Sequence, residues 1–326
     1  MTTIACALSA GLSGVALAKT EAMAKAEAAD PILQPSTFDI QPSSGINWAM
    51  GEGVTFDESP IVSTEVSLAF DSKFLSYGLV DNNDPILTPA VSLTFFDWVT
   101  FGVESIFDIS HYGRDAGYGN RAWRYQELDP GVSIAHAFRP ADVSWLPTTV
   151  ELALGYTYEA HPKVVDDDTQ FFCFTIGLPE LWIAPVFVYE LDLARDHGTY
   201  LNLELGHTFA LIESSEAGGD DILDFRISIA QGWGDKKRIR AYLPDIHNVD
   251  DEGVYGELEH AGLMDTCARG EFSWNITDGV TLGAYIAYYD YLFDSSTREA
   301  SRHYEATGHW HDSWNFVAGV TLVVAF

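Results

Sequence analysis

From about residue 61 to the C-terminus, apolar and polar positions alternate with a period of two. That spacing puts successive side chains on opposite faces of a strand. Twelve segments carry it: 61–71, 86–96, 98–109, 125–138, 149–159, 169–178, 182–193, 199–211, 222–231, 261–274, 279–292 and 312–326. In 98–109 one parity holds Val99, Phe101, Val103, Phe107 and Ile109. In 149–159 it holds Val150, Leu152, Leu154, Tyr156 and Tyr158, and in 199–211 Leu201, Leu203, Leu205 and Phe209. The opposite parity carries Gly, Ala, Ser, Thr and acids. Segment 86–96, with Pro89 inside it, and segment 261–274 are the least regular.

The connections alternate in length. Asp97-Trp98, Pro179-Glu180-Leu181 and 275–279 are short. The stretches 72–85, 110–124, 160–168, 232–260 and 293–311 are longer and polar, and 139–148 and 212–221 are intermediate. Short turns at one end, long loops at the other and an even strand count are the requirements of an outer-membrane barrel. Strands of about ten residues also match a tilted span of the bilayer. The pattern therefore predicts an all-β fold over 61–326: an antiparallel up-and-down transmembrane β-barrel of about 12 strands.

The last segment sharpens this. Every second residue back from Phe326 is Val324, Leu322, Val320, Ala318, Phe316 and Trp314. Here the chain resembles bacterial outer-membrane β-barrel proteins, whose C-terminal strand ends in an aromatic residue and serves as an assembly signal. The resemblance gives that role to Val320, Leu322, Val324 and Phe326, with Val324 where those proteins often have Tyr. A shorter stretch, 72–78, resembles TorF/MipA-like porins. Phe74, Gly78 and Pro85 or Pro89 fit that pattern, and Tyr77 stands in place of an Arg. These resemblances imply an outer membrane of a Gram-negative-type bacterium. The expected partners are outer-membrane lipid and lipopolysaccharide, the barrel-assembly machinery, and small solutes or ions.

Ahead of the barrel, residues 1–18 are uncharged, apolar and end Ala16-Leu17-Ala18, which reads as a signal peptide although no Lys or Arg precedes the apolar core. Residues 19–60 open with a helix-favouring Ala/Lys/Glu run and continue through Pro31, Pro35, Pro42 and Gly45 as a periplasmic or plug arm. Beyond the leader no window is apolar enough for a transmembrane helix. Cys6 belongs to the leader, and Cys173 and Cys267 fall four strands apart, so no disulfide is expected.

Charge then bears on function. With 48 acids against 17 Lys and Arg, the net charge is −31. A general basic surface for nucleic acid is excluded. A hydrophobic fraction of 47% excludes an acidic disordered chain. If the apolar parity faces lipid, the lumen receives Glu65, Asp71, Glu104, Asp108, Glu127, Asp129, Glu151, Glu190, Asp192, Glu204, Asp224, Asp265 and Glu271, against only Arg226 and Arg269. Buried carboxylates need partners, so this excess predicts a water-filled interior. Lys236, Lys237, Arg238 and Arg240 form a candidate constriction loop within five positions. It either folds inward against the acids or lies outside as a contact for lipopolysaccharide.

Catalytic chemistry is not indicated. His303, Glu305, His309, His311 and Asp312 in the last long loop contain a His-x-His pair, a pattern common in polar loops. His136 and His207 lie on the apolar parity near the periplasmic strand ends, where interface histidines sit. No phosphate loop, Cys-x-x-Cys pair or nucleophile elbow is present. No enzyme activity, cofactor or metal is expected. The leading expectation is a porin-like diffusion channel with an acidic lumen, favouring cations or neutral small solutes. The alternative is a non-conducting scaffold or anchor barrel that binds an envelope protein.

Overall fold

The structure is a computed structural model and describes residues 62–82, 84–109, 124–140, 143, 145–161, 168–214, 221–249, 255–302 and 314–326. The signal peptide, the arm at 19–60 and the His303–Asp312 group lie outside the described residues.

Twelve antiparallel strands close a barrel. They are β1 (Val62–Asp71), β4 (Ile86–Phe95), β5 (Val99–Asp108), β6 (Arg124–Phe138), β7 (Val150–Glu159), β8 (Thr169–Gly177), β9 (Val186–Asp192), β10 (Thr199–Ile212), β11 (Leu223–Gly234), β14 (Gly262–Thr277), β15 (Val280–Asp290) and β16 (Trp314–Ala325). Each pairs with its barrel neighbours, and β1 closes the ring on β16 with Val66 opposite Val324 and Leu68 opposite Leu322. Thr64 and Phe326 exchange backbone hydrogen bonds of 3.2 and 2.8 Å at the seam. Closure leaves no sheet edge, the condition for a sheet to sit in lipid.

Local chemistry explains the junctions. The β4–β5 turn has positive φ at Phe96 (54°) and Asp97 (59°), the twist that two-residue hairpins favour. Pro89 lacks an N–H, and the β4–β5 ladder skips Thr88 and Pro89 before resuming at Ala90. Pro130 does the same between β6 and β7, whose ladder begins at Gly131.

The outer surface is apolar. Phe101, Ile227 and Ile286 are each more than half exposed, at 52%, 52% and 57%. Val66, Leu68, Leu154, Leu203, Phe272, Val320 and Leu322 continue the band around the barrel. Such a continuous belt is foreign to a water-facing sheet. A ten-residue strand rising ~3.3 Å per residue and tilted by roughly 40° spans about 25 Å, the height of the lipid-facing band in outer-membrane barrels. Aromatic pairs flank it. Trp98 and Phe138 enclose His136, with ring centroids 4.5 and 4.6 Å away, and Trp182 and Phe209 enclose His207 at 5.0 and 4.5 Å. Both sets sit at the short-turn rim, where the amphipathic rings of an interfacial girdle belong.

Among the described residues, three of the long connections carry regular structure. After β1, β2 (Phe74–Ser76) and β3 (Leu79–Asn82) pair as a hairpin. The β11–β14 connection carries α1 (Lys236–Tyr242), β12 (Pro244–Val249) and β13 (Tyr255–Glu257), and α2 (Ser295–Ser301) follows β15. Asp235 caps α1 by accepting from the Arg238 amide at 2.8 Å. Cys173 and Cys267 form no disulfide.

Candidate functional site

Inner-face residues alternate along each strand with the exposed apolar ones, so their place follows from the pleat. They fall into two zones. In the short-turn half and the middle, Glu65, Glu151 and Asp224 are partly exposed. Arg226 meets Glu204 at 2.9 Å, and Arg269 meets Glu271 at 3.0 Å, with 26–36% of these four side chains exposed. Arg269 lies 3.9 Å from the centre of the Tyr285 ring, and the Tyr285 hydroxyl donates to Asp71 at 2.5 Å. This zone is partly exposed and carries both strand arginines, and its last contact reaches Asp71 at the long-loop end of β1.

The long-loop half is different. Asp108, Glu127, Asp129, Glu190, Asp192 and Asp265 are all 6% exposed or less. The water-filled interior expected from the acid excess does not extend here. At Glu190 the physical reason is that loops, not strands, bring the partners. The Arg238 side chain has no exposed surface and enters the barrel between β9 and the β2–β3 hairpin. It donates to Glu190 at 3.1 Å and to the Tyr77 hydroxyl at 2.8 Å, and it pairs with Asp196 at 3.3 Å. Tyr77 in turn donates to the same Glu190 oxygen at 2.6 Å. Its ring, with those of Phe171 and Tyr242, lies 4.9–5.6 Å from the guanidinium carbon. Planar guanidinium stacking of this kind is a property of Arg and not of Lys.

Ten buried residues complete the packing: Tyr77, Leu79, Tyr200, Ile239, Tyr242, Leu243, Leu258, Met264, Tyr291 and Ala300. They come from strands β10 and β14, from both helices and the Leu243 flank, from the β2–β3 hairpin, and from the residues just after β13 and β15. Tyr291 donates to the Tyr77 carbonyl at 2.6 Å, and Tyr200 to Asp265 at 2.9 Å. Asp192 accepts from Thr169 at 3.0 Å and from the Ala194 and Arg195 amides at 2.8 Å. Two glycines permit the close approach. Gly78 has φ +76°, and a Cβ there would lie 2.7 Å from that of Asp265. A Cβ on Gly198 would lie 2.5 Å from the Arg238 nitrogen.

The basic cluster therefore divides. Arg238 goes inward. Lys236 and Arg240 stay outside, at 2.5 and 3.7 Å from Glu259, and Lys237 reaches the His197 carbonyl at 3.4 Å. The hydrogen bond and charge of Lys236 hold the Glu259 carboxyl below its ordinary range. Burial pushes the Asp196 carboxyl up, against the pull of Arg238. At the opposite rim Glu180 ties two turns together, accepting from the hydroxyls of Thr149 and Thr148, and these bonds lower its pKa.

Glu104 and Asp129 share the buried zone with Glu127, and neither Asp129 oxygen has a hydrogen-bond partner. Two inner-face acids, Glu159 and Asp290, were not among the sequence candidates because they close their strands. Tyr77, Tyr200 and Tyr291 were also missed. Their signal was weak: isolated tyrosines in loops or at strand ends, without periodicity. Glu127, Glu159 and His161 are the group among the described residues spaced to hold a metal ion.

No protein-family model matches the chain, and no curated protein matches its sequence. Solved structures with a similar course include the following. An outer-membrane channel from Pseudomonas putida F1 shares 12% identity over 85% of this chain and 100% of that one, with a TM-score of 0.44. The NanC porin shares 9% over 80% and 98%, at 0.42. OmpT, an outer membrane protein of Vibrio cholerae, shares 10% over 81% and 96%, at 0.32.

Proposed function

We propose that the chain is an outer-membrane channel for small cations and neutral solutes, with its outer mouth narrowed by inward-folded loops. The barrel closure and the apolar belt support a lipid setting. The observation that carries the functional reading is the charge of the inner face. Thirteen sequence-identified acids, joined by Glu159 and Asp290, face Arg226, Arg269 and the loop-borne Arg238. Low-dielectric walls focus the field of such an excess. The screening length at physiological ionic strength is ~8 Å, comparable with the radius of a narrow barrel, so the potential survives across the lumen. Selectivity then comes from lining charge and from the loop constriction. Lys236, Lys237 and Arg240, left outside, suit the anionic face of lipopolysaccharide.

The packed core at the outer mouth favours a second reading, a closed barrel that anchors or scaffolds another envelope component. Planar-bilayer recording separates the two. Discrete steps from the wild type, enlarged in Arg238→Ala, support the channel. Silence from both proteins at every voltage assigns the barrel to the scaffold.

A further inference from the structure

One side-chain group is used by neither the constriction nor the partly exposed zone. It arises from register. Pro130 interrupts the β6–β7 ladder, and beyond the gap a single bridge, Leu128 to Ala160, re-joins the two segments through backbone hydrogen bonds of 3.0 and 2.9 Å. In an antiparallel pair the residues flanking that bridge fall opposite each other on the face away from Leu128. Glu127 therefore opposes His161, and Asp129 opposes Glu159, all toward the lumen.

The chemistry of this group is unusual. Glu127 is 1% exposed, with His161 and Asp129 as its polar neighbours, and Glu159 is 0% exposed with no hydrogen-bond partner at either carboxylate oxygen. A buried acid without a partner is costly, and the usual remedies are a cation, a metal or loss of charge. His161 Nε2 lies 3.4 Å from Glu127 Oε2. Two ligands each ~2.0–2.2 Å from a tetrahedral zinc ion stand about 3.4 Å apart. One ligand atom from each of Glu127, Glu159 and His161 falls within 4.8 Å of the other two. An imidazole with two carboxylates suits a first-row divalent ion better than calcium or magnesium, which take oxygen ligands.

We infer that Glu127, Glu159 and His161 bind one divalent transition-metal ion of the zinc type inside the outer half of the barrel. The ion neutralises the orphaned carboxylates and fastens the exit of β7 to β6, which fixes the start of the 160–168 loop. It does so whether or not the barrel conducts.

The test uses the untagged full-length barrel, refolded in detergent, stripped with a chelator and titrated with Zn²⁺ in a calorimeter. The expected result is one Zn²⁺ per chain, with the unfolding temperature raised by the metal and lowered again by chelator. Glu127→Gln and His161→Ala should each weaken uptake by tenfold or more while keeping heat-modifiable mobility. A triple variant with His303, His309 and His311 replaced by Ala should retain it. The wild type and the triple variant decide the matter even where the site variants fail to fold. No uptake by the wild type, loss of uptake in the triple variant, or unchanged uptake in folded Glu127→Gln and His161→Ala would overturn the assignment.

Discussion

Arg238 illustrates how one side chain sets the character of half a lumen. It is buried with Glu190 and Asp196, and removing one partner of a buried ion pair leaves an uncompensated charge that costs about 3–5 kcal/mol. Arg238→Ala should therefore destabilise the barrel by roughly that amount in a urea titration, and adding Glu190→Gln should return part of the loss. A variant as stable as the wild type would contradict the ion-pair account. The cluster of four basic residues was visible in the sequence. Which of them turns inward was not, because that depends on α1. Positions 236 and 240 are one helical turn apart and both reach Glu259, which leaves 238 and 242 on the buried side. Glu159 and His161 show the opposite case. A Glu-x-Asp run in one strand and a Glu-x-His run leaving the next were both readable, but only the register through Leu128 and Ala160 brings them together.

At the scale of elements, period-two alternation located all twelve barrel strands, because a strand with lipid on one side and lumen on the other must alternate. It located neither the helices nor the short hairpins inside the loops, since these pack on few residues and have no lipid face. The parity itself can be tested. Leu322→Arg places a charge on the lipid face and should cost roughly 2–4 kcal/mol near the midplane. Thr321→Arg points inward beside Ala69 and Gly283 and should cost clearly less. Equal losses in a refolding titration would reverse the assignment of faces. The C-terminal strand carries a separate expectation. Phe326 is 77% exposed, so its ring contributes little packing, yet its backbone is bonded to Thr64 at the barrel seam. Deleting Phe326 should impair insertion in cells while synthesis and export continue. Normal yields of heat-modifiable, folded protein in the outer membrane would argue against an assembly role.

At the scale of the whole molecule, two properties coexist in one closed sheet: an apolar exterior and an interior with far more acids than bases. The exterior follows directly from the alternation. The interior's division into a partly exposed inner half and a packed outer half does not, since it rests on contacts between residues as distant in sequence as Tyr77 and Arg238. The acid excess survives that packing. Glu65, Glu151 and Asp224 remain partly exposed in the inner half. Under the proposed channel reading these exposed acids set the field along the axis. The reversal potential of the wild-type protein in a planar bilayer under a KCl gradient measures that field directly. The account predicts a value displaced toward the potassium equilibrium potential, moving toward zero when Glu65, Glu151 and Asp224 are changed to their amides. A reversal potential displaced toward the chloride equilibrium potential would contradict it.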